Sequence, residues 1–153
     1  MSFELPIVPP SRVTGWPGNG VSGGGGIELP VFYPATGAQV SVLVEDDATA
    51  VARAVASARK AFDKGPWPKL AVPERIEILE KCRAVIIEHA DELARLECAA
   101  TGLVLRELKS RHIMRAAYNF RFFAEYISQS AGQRYDQTPG FMTTVSRVPV
   151  GVA

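Results

Sequence analysis

Cysteine and histidine are scarce in this sequence, with two of each among 153 residues. Cys82 and Cys98 both fall in helix-patterned segments, which argues against a disulfide framework, and two scattered thiols without ligating histidine spacing make no zinc site. They read as buried small hydrophobes. His89 and His112 have no partner three or four residues on, so a helical metal-ligand pair is absent and surface histidines remain. An excess of either charge sign is also missing: 17 Lys+Arg face 16 Asp+Glu, a net charge of +1. No global field therefore recruits nucleic acid or an anionic membrane. No apolar run reaches the length of a membrane span, and the opening MSFELPIVPP lacks a basic-then-apolar signal, so the cytoplasm is the expected compartment. Internal repeats are absent.

What is present comes in blocks. Residues 1–26 gather Pro6, Pro9, Pro10 and Pro17 with seven glycines from Gly15 to Gly26, a composition that disfavours a packed element and reads as a flexible leader. Gly18-Asn19-Gly20-Val21-Ser22-Gly23 satisfies G-x-G-x-x-G, but the dinucleotide fingerprint needs a strand before it and a helix opening at its end. Trp16-Pro17 and three further glycines flank it instead, and it is assigned as linker. Ile27, Leu29, Val31 and Tyr33 share one side of an expected strand. The turn Pro34-Ala35-Thr36-Gly37 and a second strand through Val40, Val42 and Val44 complete a hairpin.

Helical signals follow. Asp46 or Asp47 caps a helix with the stripe Val51, Val55, Ala58 and Phe62, stopped by Gly65-Pro66. Pro73 opens a long helix that turns Ile78, Leu79, Cys82, Val85 and Ile86 inward and runs to Thr101, with Gly102 as its stop. Asp91 is placed to cap a separate short helix if the long one breaks near residues 89–91. From Phe141 the sequence turns β-branched and roughly alternating through Val148, and Pro149 ends it.

The chain is organised around residues 111–126, RHIMRAAYNFRFFAEY. Ile113, Ala116, Ala117, Phe120, Phe123, Ala124 and Ile127 recur at the spacing of one apolar helix face. Arg115 falls one turn before Asn119 and a little over two turns before Phe123. A guanidinium beside water-poor aromatic surface is costly unless something anionic meets it. Two assignments stay open for Arg115. It receives a ligand carboxylate, for which its planar fork is suited, or it snorkels to solvent or pairs with Glu107 or Glu125. Asn119 lines the same wall one turn on. Arg106, Lys109, Arg111, His112 and Arg115 together form a basic cluster, read as a solvated face that favours the approach of an acidic ligand.

The order of several short words resembles one known family. Tyr33-Pro34-Ala35-Thr36-Gly37, then Ala61-Phe62, Gly65-Pro66-Trp67, Glu74-Arg75, Thr101-Gly102, Asn119-Phe120-Arg121-Phe122-Phe123 behind Arg115, and Arg147-Val148-Pro149-Val150-Gly151-Val152 are similar to the aldehyde dehydrogenase superfamily. The likeness covers about residues 28–153 and is strongest to members that oxidise 2-hydroxymuconic, 2-aminomuconic or 5-carboxymethyl-2-hydroxymuconic semialdehydes. It implies an α/β fold with a Rossmann-type nucleotide-binding domain, of which this chain holds the mainly helical N-terminal portion with short strands. On that reading residues 1–26 are the leader. Residues 27–131 are the hairpin and helical layer, and residues 132–153 begin an oligomerisation arm and enter the Rossmann core.

The resemblance also implies oxidation of an aldehyde to the acid by a homo-oligomeric enzyme using NAD or NADP. The nucleophilic thiolate, general base and cofactor loop are expected beyond Ala153. Residues 1–153 therefore hold no catalytic, cofactor-binding or metal residue on this reading, and the segment alone is expected to be inactive. Arg115 sits where the muconic-semialdehyde relatives pair an arginine with the substrate carboxylate, and Asn119 is the second substrate-binding candidate. Three departures stand out. Ala100 replaces an Asp that helps hold a monovalent cation in many members, Tyr33 replaces an Asn, and the usual Asn-Gly-Glu-Trp opening is missing. Two other readings compete: a non-catalytic helical fragment that packs against a partner, and a helical anion-binding module built on Arg106 to Arg115.

Overall fold

The structure, a computed structural model, describes residues 5–15 and 23–153. A three-stranded sheet comes first, ordered β1 (Arg12–Thr14), β3 (Gln39–Asp46), β2 (Gly25–Phe32). The hairpin β2–β3 is the expected one. Tyr33 N–H donates to the Ala38 carbonyl at 2.8 Å, and the turn closes with Gly37 N–H on the Tyr33 carbonyl at 2.8 Å. Gly37 takes a left-handed φ of 71°, open to glycine without penalty. Two bulges interrupt the register of β2, and the expected inward row is buried only toward its end: Ile27 is 63% exposed and Leu29 exposed, Val31 is half-buried and Tyr33 buried. Tyr33 and Val44 are the buried apolar residues of the hairpin.

Strand β1 falls inside the stretch expected to hold no packed element. It pairs in parallel with β3 through Arg12–Val42 and Thr14–Val44, because Ser11 and Pro10 reach across to the sheet: Val42 N–H donates to Ser11 and the buried Ser41 hydroxyl to the Pro10 carbonyl. The Asp46 carboxylate accepts from Gly24 N–H at 2.6 Å, and Gly23 N–H reaches the Gly15 carbonyl at 2.7 Å. Of the G-x-G-x-x-G stretch, residues 18–22 lie outside the described residues.

Helix α1 (Ala48–Lys64) begins at Asp47, whose carboxylate accepts from Ala50 N–H at 2.7 Å. Between the two expected caps, Asp47 takes the role and Asp46 is held by the sheet instead. The expected apolar stripe is mostly uncovered, with Val55 54% exposed. After a 3-10 turn at Trp67–Lys69, α2 (Val72–Glu88) opens with Ala71 N–H on the Glu74 carboxylate at 2.7 Å. The chain breaks at His89, and α3 (Ala90–Thr101) follows. Asp91 does not cap it: the N-cap position is His89, without a side-chain bond, and the Asp91 carboxylate is drawn sideways to Arg95 and Lys109. Gly102 ends α3 at φ 72°.

The remaining helix is one continuous rod in three parts. It comprises α4 (Leu105–Glu107), a π-helical turn (Leu108–His112) and α5 (Ile113–Ile127). Leu108, 1% exposed, packs with Ala94 and Cys98 of α3, and Leu105 and Ile113 border this cluster. Helix α5 lies along α2. A separate antiparallel pair, β4 (Gln133–Thr138) and β5 (Phe141–Val145), turns at Gly140. Every residue of both strands is exposed.

Candidate functional site

Helix α5 buries a narrower stripe than its sequence suggests. Ala117 and Ala124 are buried and Ile113, Phe120 and Ile127 half-buried, a row at spacings of three and four that fits small residues against α2. Ala116 and Phe123, expected in that row, face outward, and Phe123 is 58% exposed. The reason is geometric: the apolar residues span too wide an arc for one helix contact to cover. A second, exposed apolar row results, formed by Met114, Tyr118, Phe122 and Tyr126. Phe122 stacks on Tyr126 at 6.2 Å between ring centroids and meets Phe123 edge-on at 5.3 Å.

Arg115 and Asn119 sit on this outward side, and the structure brings them together. Arg115 Nε donates to Asn119 Oδ1 at 3.3 Å, both side chains being exposed. The acids that could have neutralised Arg115 are engaged elsewhere. Glu107 lies 3.8 Å from Arg106, and Glu125 accepts from Arg121 Nε at 2.7 Å. That second bond raises the Arg121 guanidinium further above its ordinary value. Of the assignments left open for Arg115, pairing with Glu107 or Glu125 is not found: the side chain is exposed to solvent and its partner is the neutral amide of Asn119.

The basic cluster is divided between paired and unpaired groups. Arg106 is paired with Glu107, and Lys109 in the π turn with Asp91. The bonds from Lys109 and then Arg95 hold the Asp91 carboxyl below the usual carboxylate range. Arg111, His112 and Arg115 form no ion pair among the described residues, so the field that remains is concentrated at the start of α5. The π turn and the exposed aromatic row were not expected from the sequence. The one available signal was the excess of apolar positions in residues 111–126 over what a single face can hold.

The family model for aldehyde dehydrogenases matches residues 21–153. The chain belongs to the aldehyde dehydrogenase family. It is 34% identical over 119 residues to 5-carboxymethyl-2-hydroxymuconate semialdehyde dehydrogenase of Escherichia coli, covering 78% of this chain and 25% of that protein. It is 32% identical over 136 residues to the mitochondrial aldehyde dehydrogenase family 2 member B4 of Arabidopsis thaliana, with 89% and 25% covered. Among solved structures, an NAD+ complex of aldehyde dehydrogenase from Bacillus cereus superposes with a TM-score of 0.74 at 28% identity, over 82% of this chain and 26% of that one. The chain spans about a quarter of the length of the curated relatives it matches.

Within this aldehyde dehydrogenase segment, the described residues do not fit a nicotinamide dinucleotide. A pyrophosphate needs free backbone N–H groups where a strand runs into a helix. Strand β3 does run into α1, but Asp46 and Asp47 stand at that junction, and the Asp47 carboxylate already occupies the first turn. Two carboxylates there repel phosphate. The described residues also hold no cluster of three or more acidic, histidine or cysteine side chains fit for a metal ion, and none of their helices is long and apolar enough to cross a membrane.

Proposed function

We propose that this chain is the N-terminal part of an enzyme that oxidises a carboxylated semialdehyde of the muconic type to the corresponding acid with NAD or NADP, the cofactor being held by residues outside positions 1–153. Arg115 receives the substrate carboxylate and Asn119 holds the guanidinium in place from one turn away. The observation that carries the reading is the state of Arg115: exposed, bonded through Nε to the neutral amide of Asn119, and without an acid partner among the described residues, so that its planar fork can meet a bidentate carboxylate. The carboxymethylmuconate semialdehyde dehydrogenase of E. coli, named for a substrate that bears carboxylates, supports the substrate class.

The helical layer of residues 27–131 carries the substrate wall on α5, and the hairpin β4–β5 belongs to an arm that joins copies of the chain. Residues 1–26 serve as a leader, of which β1 and the first two residues of β2 are tied to the sheet. Neither Cys82 nor Cys98 is assigned as nucleophile. Cys98 is buried in the α3 cluster as expected, whereas Cys82, expected to face inward, is exposed on α2, where α5 leaves that side uncovered by apolar residues.

The test is Arg115→Ala in the complete enzyme. Transition-state binding of a carboxylated semialdehyde is expected to fall by about 1.5–3 kcal/mol, the range for a hydrogen bond to a charged group. A neutral aldehyde of similar size is expected to change by much less. Equal losses on both substrates would assign Arg115 to packing and remove the carboxylate reading.

A further inference from the structure

Arg111, in the π-helical turn, precedes Arg115 by four residues, close to one turn of the rod, and is likewise exposed. Like charges at this spacing repel, so two unneutralised guanidinium groups on one row are a local cost to the helix. Elsewhere the chain avoids such a cost: Arg59, Arg95 and Arg121 each have an acid four residues away. Arg111 has no ion pair among the described residues. Its one-turn neighbour on the other side, Glu107, lies near Arg106, and Lys109 is tied to Asp91. The two guanidinium groups, neither with an acid among the described residues, are therefore consecutive on the exposed side of the same rod, ahead of Asn119.

We propose that Arg111 is a specificity-determining residue that takes a second carboxylate, so that the wall presented by α5 reads a dicarboxylated semialdehyde end-on. This rests on the reading of Arg115 as the first carboxylate site. Four residues of the rod, at most about 6 Å along its axis at the α-helical rise of about 1.5 Å, separate the two residues, a distance that the carboxylates of a short dicarboxylic chain can span. Asn119 occupies Nε of Arg115 and leaves Arg111 without an amide of its own. Arg115 is thus the oriented contact, and Arg111 is the adaptable one that adds to binding when a second charge is present. Because this second charge lies remote from the reacting carbonyl, its contribution appears in KM rather than in kcat.

The experiment uses the complete enzyme with three aldehydes: a neutral straight-chain aldehyde, succinic semialdehyde as the monocarboxylate, and a semialdehyde bearing two carboxylates. Arg111→Gln is expected to raise KM for the dicarboxylate about tenfold relative to that for the monocarboxylate, with kcat little changed, as for one exposed charge-assisted bond. Arg111→Lys, which keeps the charge and loses the fork, is expected to recover part of that ratio. Arg115→Gln is expected to lower selectivity for both acids against the neutral aldehyde. Should Arg115→Gln act in this way while Arg111→Gln leaves the ratio of dicarboxylate to monocarboxylate unchanged, the second site is overturned and the first stands. Should Arg115→Gln fail to separate acids from the neutral aldehyde, the parent reading falls, and the second site falls with it.

Discussion

Asp91 ties three parts of the chain through one side chain. Its carboxylate accepts from Arg95 at 2.6 Å and pairs with Lys109 in the π turn, while Arg95 also reaches the Pro6 carbonyl at 3.1 Å. Both cations lower the Asp91 pKa in the folded chain, Lys109 first. A carboxyl with a depressed folded value binds its proton more readily when unfolded, so its contribution is present above the ordinary aspartate value of about 3.9 and is lost as pH falls through the lowered folded value. Asp91→Asn is accordingly expected to destabilise the chain at neutral pH and to flatten the acid limb of a stability–pH profile measured by urea unfolding. An unaltered acid limb would show that the pair is too solvated to matter. The sequence showed both Asp91 and the basic cluster around Lys109, but placed Asp91 as a helix cap. The reason is that a cap is a local pattern, whereas the pull of Lys109 depends on how α3 meets the π turn.

Elements whose signals are local were the legible ones. The turn at Pro34-Ala35-Thr36-Gly37, the cap at Asp47, the helix opening at Pro73 and the stop at Gly102 all stand where their residue types place them. What depended on distant partners was not legible. Strand β1 is three residues long and exists through β3, and β4 emerged from Gln133–Thr138, which carries no apolar alternation. The π turn replaces what reads as uninterrupted helix, with Ile113 N–H bonding back to the Leu108 carbonyl. The same limit applies to the site: the sequence isolates Arg115 and Asn119 as a pair, but not which glutamates are already taken. At this scale Gly102 carries a sharp prediction. It sits at φ 72°, and a Cβ there would come within 3.0 Å of the Pro34 ring, so α3 ends against the hairpin turn. Gly102→Ala is expected to cost about 1–2 kcal/mol from the left-handed backbone alone, with the steric approach adding to it, read as a shift in the urea midpoint at constant slope. Pro34→Gly, which removes the Cβ that makes the 3.0 Å approach, is expected to return the steric part in the same background, judged against Pro34→Gly alone, and to leave the backbone part.

As a whole the molecule exposes more than its mass requires. Its accessible surface is 11408 Å², whereas a compact 16.5 kDa monomer shows about 7,600 Å². The excess is apolar in several places: the stripe of α1, the aromatic row of α5, and Phe141, Met142 and Val145 on β5. The hairpin β4–β5 is the extreme case, because two strands with neither face covered are marginally stable in water. A partner surface is needed to hold it, which is why the proposal assigns it to an arm between copies of the chain. Amide hydrogen exchange across residues 133–145 of the 153-residue chain tests this directly. Exchange there is expected to be fast at low protein concentration and to slow as concentration rises, while α2 and α5, packed on each other, exchange at a concentration-independent rate. Replacing Phe141 and Val145 by Ser is expected to abolish the concentration dependence without altering the helical signal. Fast exchange at every concentration would remove the hairpin as the joining element, since an arm that pairs with a second copy must be protected by it.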